Sequence, residues 1–247
     1  MSHHTFDPRT KPGRPGLSQG NLTRTDHQRT TDAPTFDTGT TIVALTAEDG
    51  VVLAADQRAS LGGKLTTNKN VRKLSRVHPQ AALAISGSVG PAQSLIRSLR
   101  AEANLYEARR SEQMSLHALS QTAGQLLRGL PVAPILAGVD ETGGQVYELD
   151  GGGSVLEDDY AAGGSGMQVA YGVLERRFDP EATLSAATED AVAAVEAATE
   201  RDTASGNGVT VATITDAGVE IESFEEYANA STSASSERDS RGGGEVA

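Results

Sequence analysis

The chain has 247 residues, a formal net charge of −12 and no cysteine, so disulfides, thiolate metal sites and cysteine nucleophiles are excluded. An acidic surface of this kind repels nucleic acid and anionic membranes at long range. The longest purely apolar run, Val51 to Ala55, is far below a membrane span, and residues 1–39 carry no signal-peptide pattern; the reading is a soluble protein of a reducing cytoplasm. From Thr40 onward there are 16 basic residues against 29 acidic ones, a balance of −13, and just three of the basic ones, Lys64, Lys69 and Lys73, are lysines. Acidic, lysine-poor surfaces suit a high-salt cytoplasm, and each lysine in such a chain carries extra weight as a candidate functional group.

Residues 1–39 hold four of the nine prolines and three of the five histidines. With almost no bulky aliphatic side chains, they are expected to be flexible. Two β-rich runs follow, Thr41–Thr46 and Val51–Ala55, with Asp49-Gly50 between them as a hairpin signal. After a polar, Gly-containing stretch, Ala81–Ile85 reads as a buried strand. Ser88 and Pro91 then open a helix whose apolar face is Ala92, Leu95, Ile96, Leu99, Ala103 and Tyr106. A second helix presents Leu116, Leu119, Ala123, Leu126, Leu127 and Leu130 and stops at Pro131.

Strands are expected at Ile135–Val139, Gln145–Leu149 and Val155–Tyr160. Helices are expected over about Gly166–Phe178 and Pro180–Thr203, the latter with Asp179 as N-cap and Pro180 at the first helical position. Two last strands, Val209–Thr215 and Val219–Ser223, flank Asp216-Ala217-Gly218. Residues 228–247, rich in Ser and Gly, read as a disordered tail. Strands and helices come in blocks, which argues against alternating β-α folds and for an α+β architecture of two antiparallel sheets with helices outside.

Most hydrolytic chemistries find no support in this sequence. Beyond the first 39 residues there are two histidines, His78 and His117, and neither sits in a pattern that marks a catalytic triad. No H-E-x-x-H or comparable metal spacing occurs, and Gly163-Gly164-Ser165-Gly166 lacks the Lys-Ser/Thr of a phosphate loop, so a tight strand-to-helix turn is the better reading. What remains is Gly39-Thr40-Thr41 at the border between the polar leader and the first strand. The hairpin returns the end of its second strand beside the start of its first, which brings Asp56 next to Thr40, where it could hold a lysine such as Lys73.

The segments TTIVALTAEDGVVLAADQRAS, NVRKLSRV, ALAISGSVGPAQ, AAGGSGMQVAYGVLE and ERDTASGNGVTVATIT resemble the catalytic β subunits of the archaeal 20S proteasome, haloarchaeal members in particular, over Gly39 to about Tyr227. These are N-terminal-nucleophile hydrolases, and the resemblance implies a four-layer α-β-β-α sandwich. It also implies a precursor that cuts itself after Gly39, exposing Thr40 as nucleophile. By the same resemblance Asp56 and Lys73 form a supporting ion pair, and Ser165, Asp202 and Ser205 surround the new amino terminus. Gly87 supplies an oxyanion N–H, and Ala59, Ser60, Val71, Ser75, Ile85 and Val89 line the substrate pocket. Their small or apolar character implies cleavage mainly after hydrophobic residues. The chain departs from its relatives at Ala44, where glycine is frequent, and in the variable loop from Leu61 to Lys69.

The chemistry is consistent with that implication. A threonine hydroxyl needs an adjacent base, and a free α-amino group with a pKa of about 7.7–8.0 can serve near neutral pH, whereas the amide of an uncut chain cannot. The resemblance further implies threonine endopeptidase activity on unfolded proteins without metal or organic cofactor. It implies heptameric β rings stacked with α-subunit rings, and an ATP-dependent unfoldase acting through the α rings. A small-molecule amidase of the same nucleophile class and a non-catalytic ring subunit are the two competing readings.

Overall fold

The computed structural model describes residues 37–61 and 63–232; the leader up to residue 36 and the tail from residue 233 lie outside the described residues. In chain order the elements are β1 (Asp37–Thr38), β2 (Thr41–Ala47), β3 (Gly50–Asp56), β4 (Ala59–Leu61), β5 (Leu65–Asn68), β6 (Leu74–His78), β7 (Ala81–Ala84) and β8 (Gly87–Ser88). The helices α1 (Val89–Arg110) and α2 (Leu116–Leu127) follow, then β9 (Ile135–Asp140), β10 (Gly143–Leu149), β11 (Val155–Asp158) and β12 (Tyr160–Gly164). The last elements are α3 (Met167–Arg177), α4 (Leu184–Thr199), β13 (Val209–Thr215) and β14 (Gly218–Phe224).

Two five-stranded antiparallel sheets carry the architecture, in the orders β12-β2-β3-β13-β14 and β11-β10-β9-β7-β6. Side-chain alternation along the strands sorts the core into three layers. On β2 and β3, Val43, Leu45, Val52 and Ala54 face α3 and α4, joining Leu174, Ala191, Val192 and Val195. The alternate residues Ile42, Ala44, Val51, Leu53 and Ala55 face the second sheet, meeting Leu74, Ala82, Ala84, Ile135 and Ala137. The outer side of that second sheet packs on α1 and α2 through Leu83, Leu95, Leu99, Leu119, Leu127 and Tyr147. The fold is therefore an α+β, four-layer α-β-β-α sandwich, as the block order of elements predicts.

The hairpin that positions the site is tighter than the Asp-Gly signal suggests. Ala47 pairs with Gly50, so the two-residue loop is Glu48-Asp49 and Gly50 already belongs to β3. The Asp49 carboxylate accepts from the Leu184 N–H at 3.0 Å, which ties the turn to the start of α4.

Several expectations need correction. The run Val155–Tyr160 is not one strand: β11 ends at Asp158, Tyr160 opens β12, and the two belong to different sheets. The crossing is held where Asp159 C=O accepts from both the N–H and the hydroxyl of Thr46, at 2.9 and 3.1 Å. Gly163 and Gly164 lie in β12 rather than in a turn; the turn is Ser165-Gly166. Helix α4 starts at Leu184, not Pro180, because Thr183 caps it, its hydroxyl accepting from the Ala186 N–H at 3.3 Å. Asp179 instead makes a local turn, accepting from the Glu181 N–H at 3.0 Å. Leu130 lies beyond the end of α2. The polar stretch after β3 and the variable loop contain the hairpin β4–β5 and the edge strand β6, whose mixed polar content hid them. Residues 227–232 are helical, with Ala230 buried against the α4 layer, so residues 228–232 of the expected tail are ordered, and the rest of it lies outside the described residues.

Leu53 is fully buried between the sheets. Leu53→Ala is expected to cost about 2–5 kcal/mol of stability, read as a lowered urea unfolding midpoint with an unchanged slope.

Candidate active site

The register of β2 on β3 pairs Ile42 with Ala55, which sets Thr41 beside Asp56 and leaves Thr40 just outside the strand. Asp56 is fully buried, and burying a carboxylate demands compensation from donors and opposite charge. Its Oδ1 accepts from the Thr40 hydroxyl at 2.9 Å, from the Thr41 N–H at 2.8 Å and from Lys73 Nζ at 2.6 Å. Its Oδ2 accepts from the backbone N–H groups of Arg58 at 3.0 Å and Gly206 at 2.9 Å. Five donors thus converge on one carboxylate, drawn from four separated stretches of chain.

Lys73 is buried too, its side chain 4% exposed. Burial pushes its pKa below the ordinary 10.5, partly offset by the charge and hydrogen bond of Asp56. Its own backbone completes the local frame: Lys73 C=O accepts from the Ile85 N–H at 3.0 Å.

A second cluster closes on the other side of Thr40. The Thr40 N–H donates to Ser165 Oγ at 3.0 Å. The Ser165 and Ser205 hydroxyls both donate to Asp202 Oδ2, at 2.6 and 2.7 Å, and Asp202 Oδ1 accepts from the Ala204 N–H at 3.1 Å. All six of Thr40, Asp56, Lys73, Ser165, Asp202 and Ser205, read from sequence as one site, are brought together. The peptide bond from Gly39 to Thr40 is intact, and its nitrogen is the one held by Ser165.

Beside this cluster opens a cleft of about 830 Å³ lined by Gly39, Ser86, Gly87, Ser88, Gly164, Ser165, Asp202 and Ala204, among others. Strand β1 pairs antiparallel with β8, whose Gly87 and Ser88 line the cleft, with Thr38 opposite Gly87 and Asp37 opposite Ser88. The end of the leader therefore lies along Gly87 as an added strand, the geometry by which extended peptides are bound at sheet edges.

The proteasome subunit family matches residues 36–214. The chain belongs to that family. A proteasome subunit beta 2 of Haloarcula marismortui is 53% identical over 85% of this chain and 93% of its own length. Proteasome β subunits of Halorhabdus utahensis and Halobacterium salinarum are 56% and 53% identical, over 78% and 84% of this chain and 84% and 87% of theirs. Membership in the proteasome subunit family implies assembly with other subunits into the proteasome core. Among the described residues no helix is long and apolar enough to cross a membrane.

Within this proteasome domain the pocket residues expected from sequence are placed apart from this cleft. Ala59 and Ser60 are buried, and Val71, Ser75, Ile85 and Val89 half-buried, but none lines the 830 Å³ cleft. Of these, Ile85 donates its N–H to Lys73 C=O at 3.0 Å, Val71 donates its N–H to Gln57 C=O at 2.8 Å, and Ser75 lies on β6, which begins just after Lys73. His78 ends β6 and is buried, its Nδ1 accepting from the Gln80 N–H at 3.3 Å. His117 is exposed on α2. Neither histidine takes part in the two clusters around Thr40.

Four participants were not read from the sequence: the Arg58, Ala204 and Gly206 N–H groups, which have no side-chain signature, and Thr41, whose hydroxyl meets Ser205 Oγ at 2.8 Å. Removing the Asp56 carboxylate alone leaves Lys73 as an uncompensated buried cation. Asp56→Ala is expected to lower stability by about 3–5 kcal/mol, and Asp56→Ala with Lys73→Met to recover part of that loss, in urea unfolding of the purified chain.

Proposed function

We propose that Thr40 is the nucleophile of a threonine-type endopeptidase subunit, unmasked when the chain cleaves its own Gly39–Thr40 bond. The observation that carries this reading is the shared oxygen at the site: the Thr40 hydroxyl and the Lys73 ammonium both donate to Asp56 Oδ1, while Ser165 holds the Thr40 nitrogen. The hydroxyl, a cation and the nitrogen that becomes the amino terminus are thus fixed in one arrangement before any cut.

In the first step the Thr40 oxygen adds to the Gly39 carbonyl carbon, the C–N bond breaks, and the nitrogen takes up the proton. Water then hydrolyses the resulting ester and releases the leader. The product carries a free α-amino group, with an ordinary pKa of about 7.7–8.0, beside its own hydroxyl. That amine takes the hydroxyl proton in each later attack on a substrate carbonyl. Lys73, charged and held by Asp56, disfavours the ammonium form of the amine and stabilises the developing alkoxide. Gly87, opposite Thr38 on the leader strand, is read as the residue whose N–H stabilises the tetrahedral oxyanion.

The substrates are unfolded polypeptides, cut mainly after hydrophobic residues received by Ala59, Ser60, Val71, Ser75, Ile85 and Val89. The chain works in β rings stacked with α rings, supplied by an ATP-dependent unfoldase, in the cytoplasm. No metal or organic cofactor enters these steps. Fluorogenic peptides with an apolar residue before the scissile bond are expected to be cut faster than acidic or basic ones.

The mass of the purified subunit tests the nucleophile. Wild type is expected to begin at Thr40, while Thr40→Ala retains its leader and lacks peptidase activity. An uncut wild-type chain in active particles refutes the assignment. A Cβ on Gly39 sits 1.9 Å from the Ala204 Cβ and 3.1 Å from Ser165 Oγ, closer than packing allows. Gly39→Ala is therefore expected to slow leader removal at least about tenfold, followed by gel shift over time. The pH profile of kcat/KM is expected to be bell-shaped. Its acid limb reports the α-amino group, and its alkaline limb falls below 10.5 because the folded Lys73 loses its proton more readily than a free lysine.

A further inference from the structure

We propose that Thr41 is a positioning residue for the reaction: its buried hydroxyl fixes Ser205 and, through Asp202 and Ser165, the nitrogen of Thr40. The inference rests on the reading of Thr40 as nucleophile and of its nitrogen as base.

Proton bookkeeping makes the direction of every bond definite. A serine hydroxyl has one proton to give. Ser205 gives its proton to Asp202 Oδ2 at 2.7 Å, so in the 2.8 Å contact between Thr41 Oγ1 and Ser205 Oγ the donor is Thr41. Ser165 likewise gives its proton to Asp202 Oδ2 at 2.6 Å, a much shorter bond than its alternative to Thr40 C=O at 3.3 Å, which leaves its oxygen as acceptor for the Thr40 N–H. Two donor chains therefore end on the same carboxylate oxygen. One begins at the Thr41 hydroxyl and the other at the Thr40 nitrogen, and the covalent chain from Thr40 to Thr41 closes the ring.

The surroundings are built for that hydroxyl. Thr41 is 0% exposed and continues the Val43–Leu45 row that faces α3 and α4. A Cβ on Gly166 would stand 2.0 Å from Thr41 Oγ1, so no residue larger than glycine fits there while the hydroxyl stays in place. Gly166 also donates its N–H to Thr40 C=O at 3.3 Å, which makes the turn after β12 a clasp on both residues. Any β-branched or aliphatic residue would fill the strand position equally well. Only a hydroxyl completes the ring.

Loss of the hydroxyl removes the donor that holds Ser205 against Asp202. A carboxylate less fully neutralised by donors favours the ammonium form of the nearby amine. Because Thr41 is sealed from the cleft, substrate binding is not expected to change.

The experiment compares assembled particles carrying wild-type, Thr41→Val, Thr41→Ser and Thr40→Ala chains, assayed with one fluorogenic peptide across pH. Thr41→Val is expected to lose about tenfold in kcat with KM unchanged, and to move the acid limb of the kcat profile to higher pH. Thr41→Ser, which keeps the donor, is expected to remain within about twofold of wild type. Should Thr41→Val fail to assemble, Gly166→Ala displaces the same hydroxyl from outside and carries the same expectation for kcat and the acid limb. Wild-type kcat and an unmoved acid limb in either variant overturn the inference. Activity in Thr40→Ala would instead overturn the reading on which it rests, so the two failures are distinguishable.

Discussion

One buried carboxylate organises the catalytic half of this molecule. Asp56 lies at the end of a strand, out of contact with solvent, and is stable there because five donors from four separated stretches of chain converge on it. Each donor is fixed in turn by the need to satisfy that charge, since an unpaired carboxylate in such a place costs several kcal/mol. The N-terminus of β2, the Arg58 turn, Lys73 before β6 and the Gly206 loop before β13 are all held to the same atom pair. The site and the sandwich are therefore coupled: loosening either sheet end loosens the nucleophile.

The second cluster differs in kind. Asp202 is only half-buried and Ser165 is exposed, so this side of Thr40 faces the cleft, as it must if the nitrogen is to exchange an acyl group for protons. A rigid, charged inner side and an open, hydroxyl-lined outer side give Thr40 one fixed oxygen and one addressable nitrogen. The leader strand β1 pairs along β8. On the proposed reading, the same pairing presents Gly39 for attack and excludes other peptides until the bond is broken.

Much of this was legible along the chain. The alternation in Thr41–Thr46 and Val51–Ala55, the helical periodicity of Leu95, Leu99, Leu119 and Leu127, and the block order of elements carry the sandwich, because burial of one face imposes a period on the sequence. Asp56 could be placed beside Thr40 from hairpin geometry alone. Strand β6 and the β4–β5 hairpin were not legible. β5 is exposed throughout and β6 mixes buried Leu74 and Val77 with exposed Arg76, so no regular apolar period survives. The split of Val155–Tyr160 between two sheets was equally hidden, since strand propensity does not say which partner a strand pairs with.

The sequence by itself determined the layers, the polar leader, the absence of thiol chemistry and the nearness of Asp56 to Thr40, all of which follow from local pattern and residue type; the rest of the candidate set came from the family resemblance. The tertiary structure alone decided who donates to whom. It brought the Arg58 and Gly206 amides onto Asp56 and directed both serine protons to one oxygen of Asp202. It also turned Thr41 from a strand residue into part of the ring. The physical reason is that hydrogen-bond direction depends on the positions of all partners at once. These partners lie up to 164 residues apart, as for Thr41 and Ser205, and no local pattern in a chain encodes that distance.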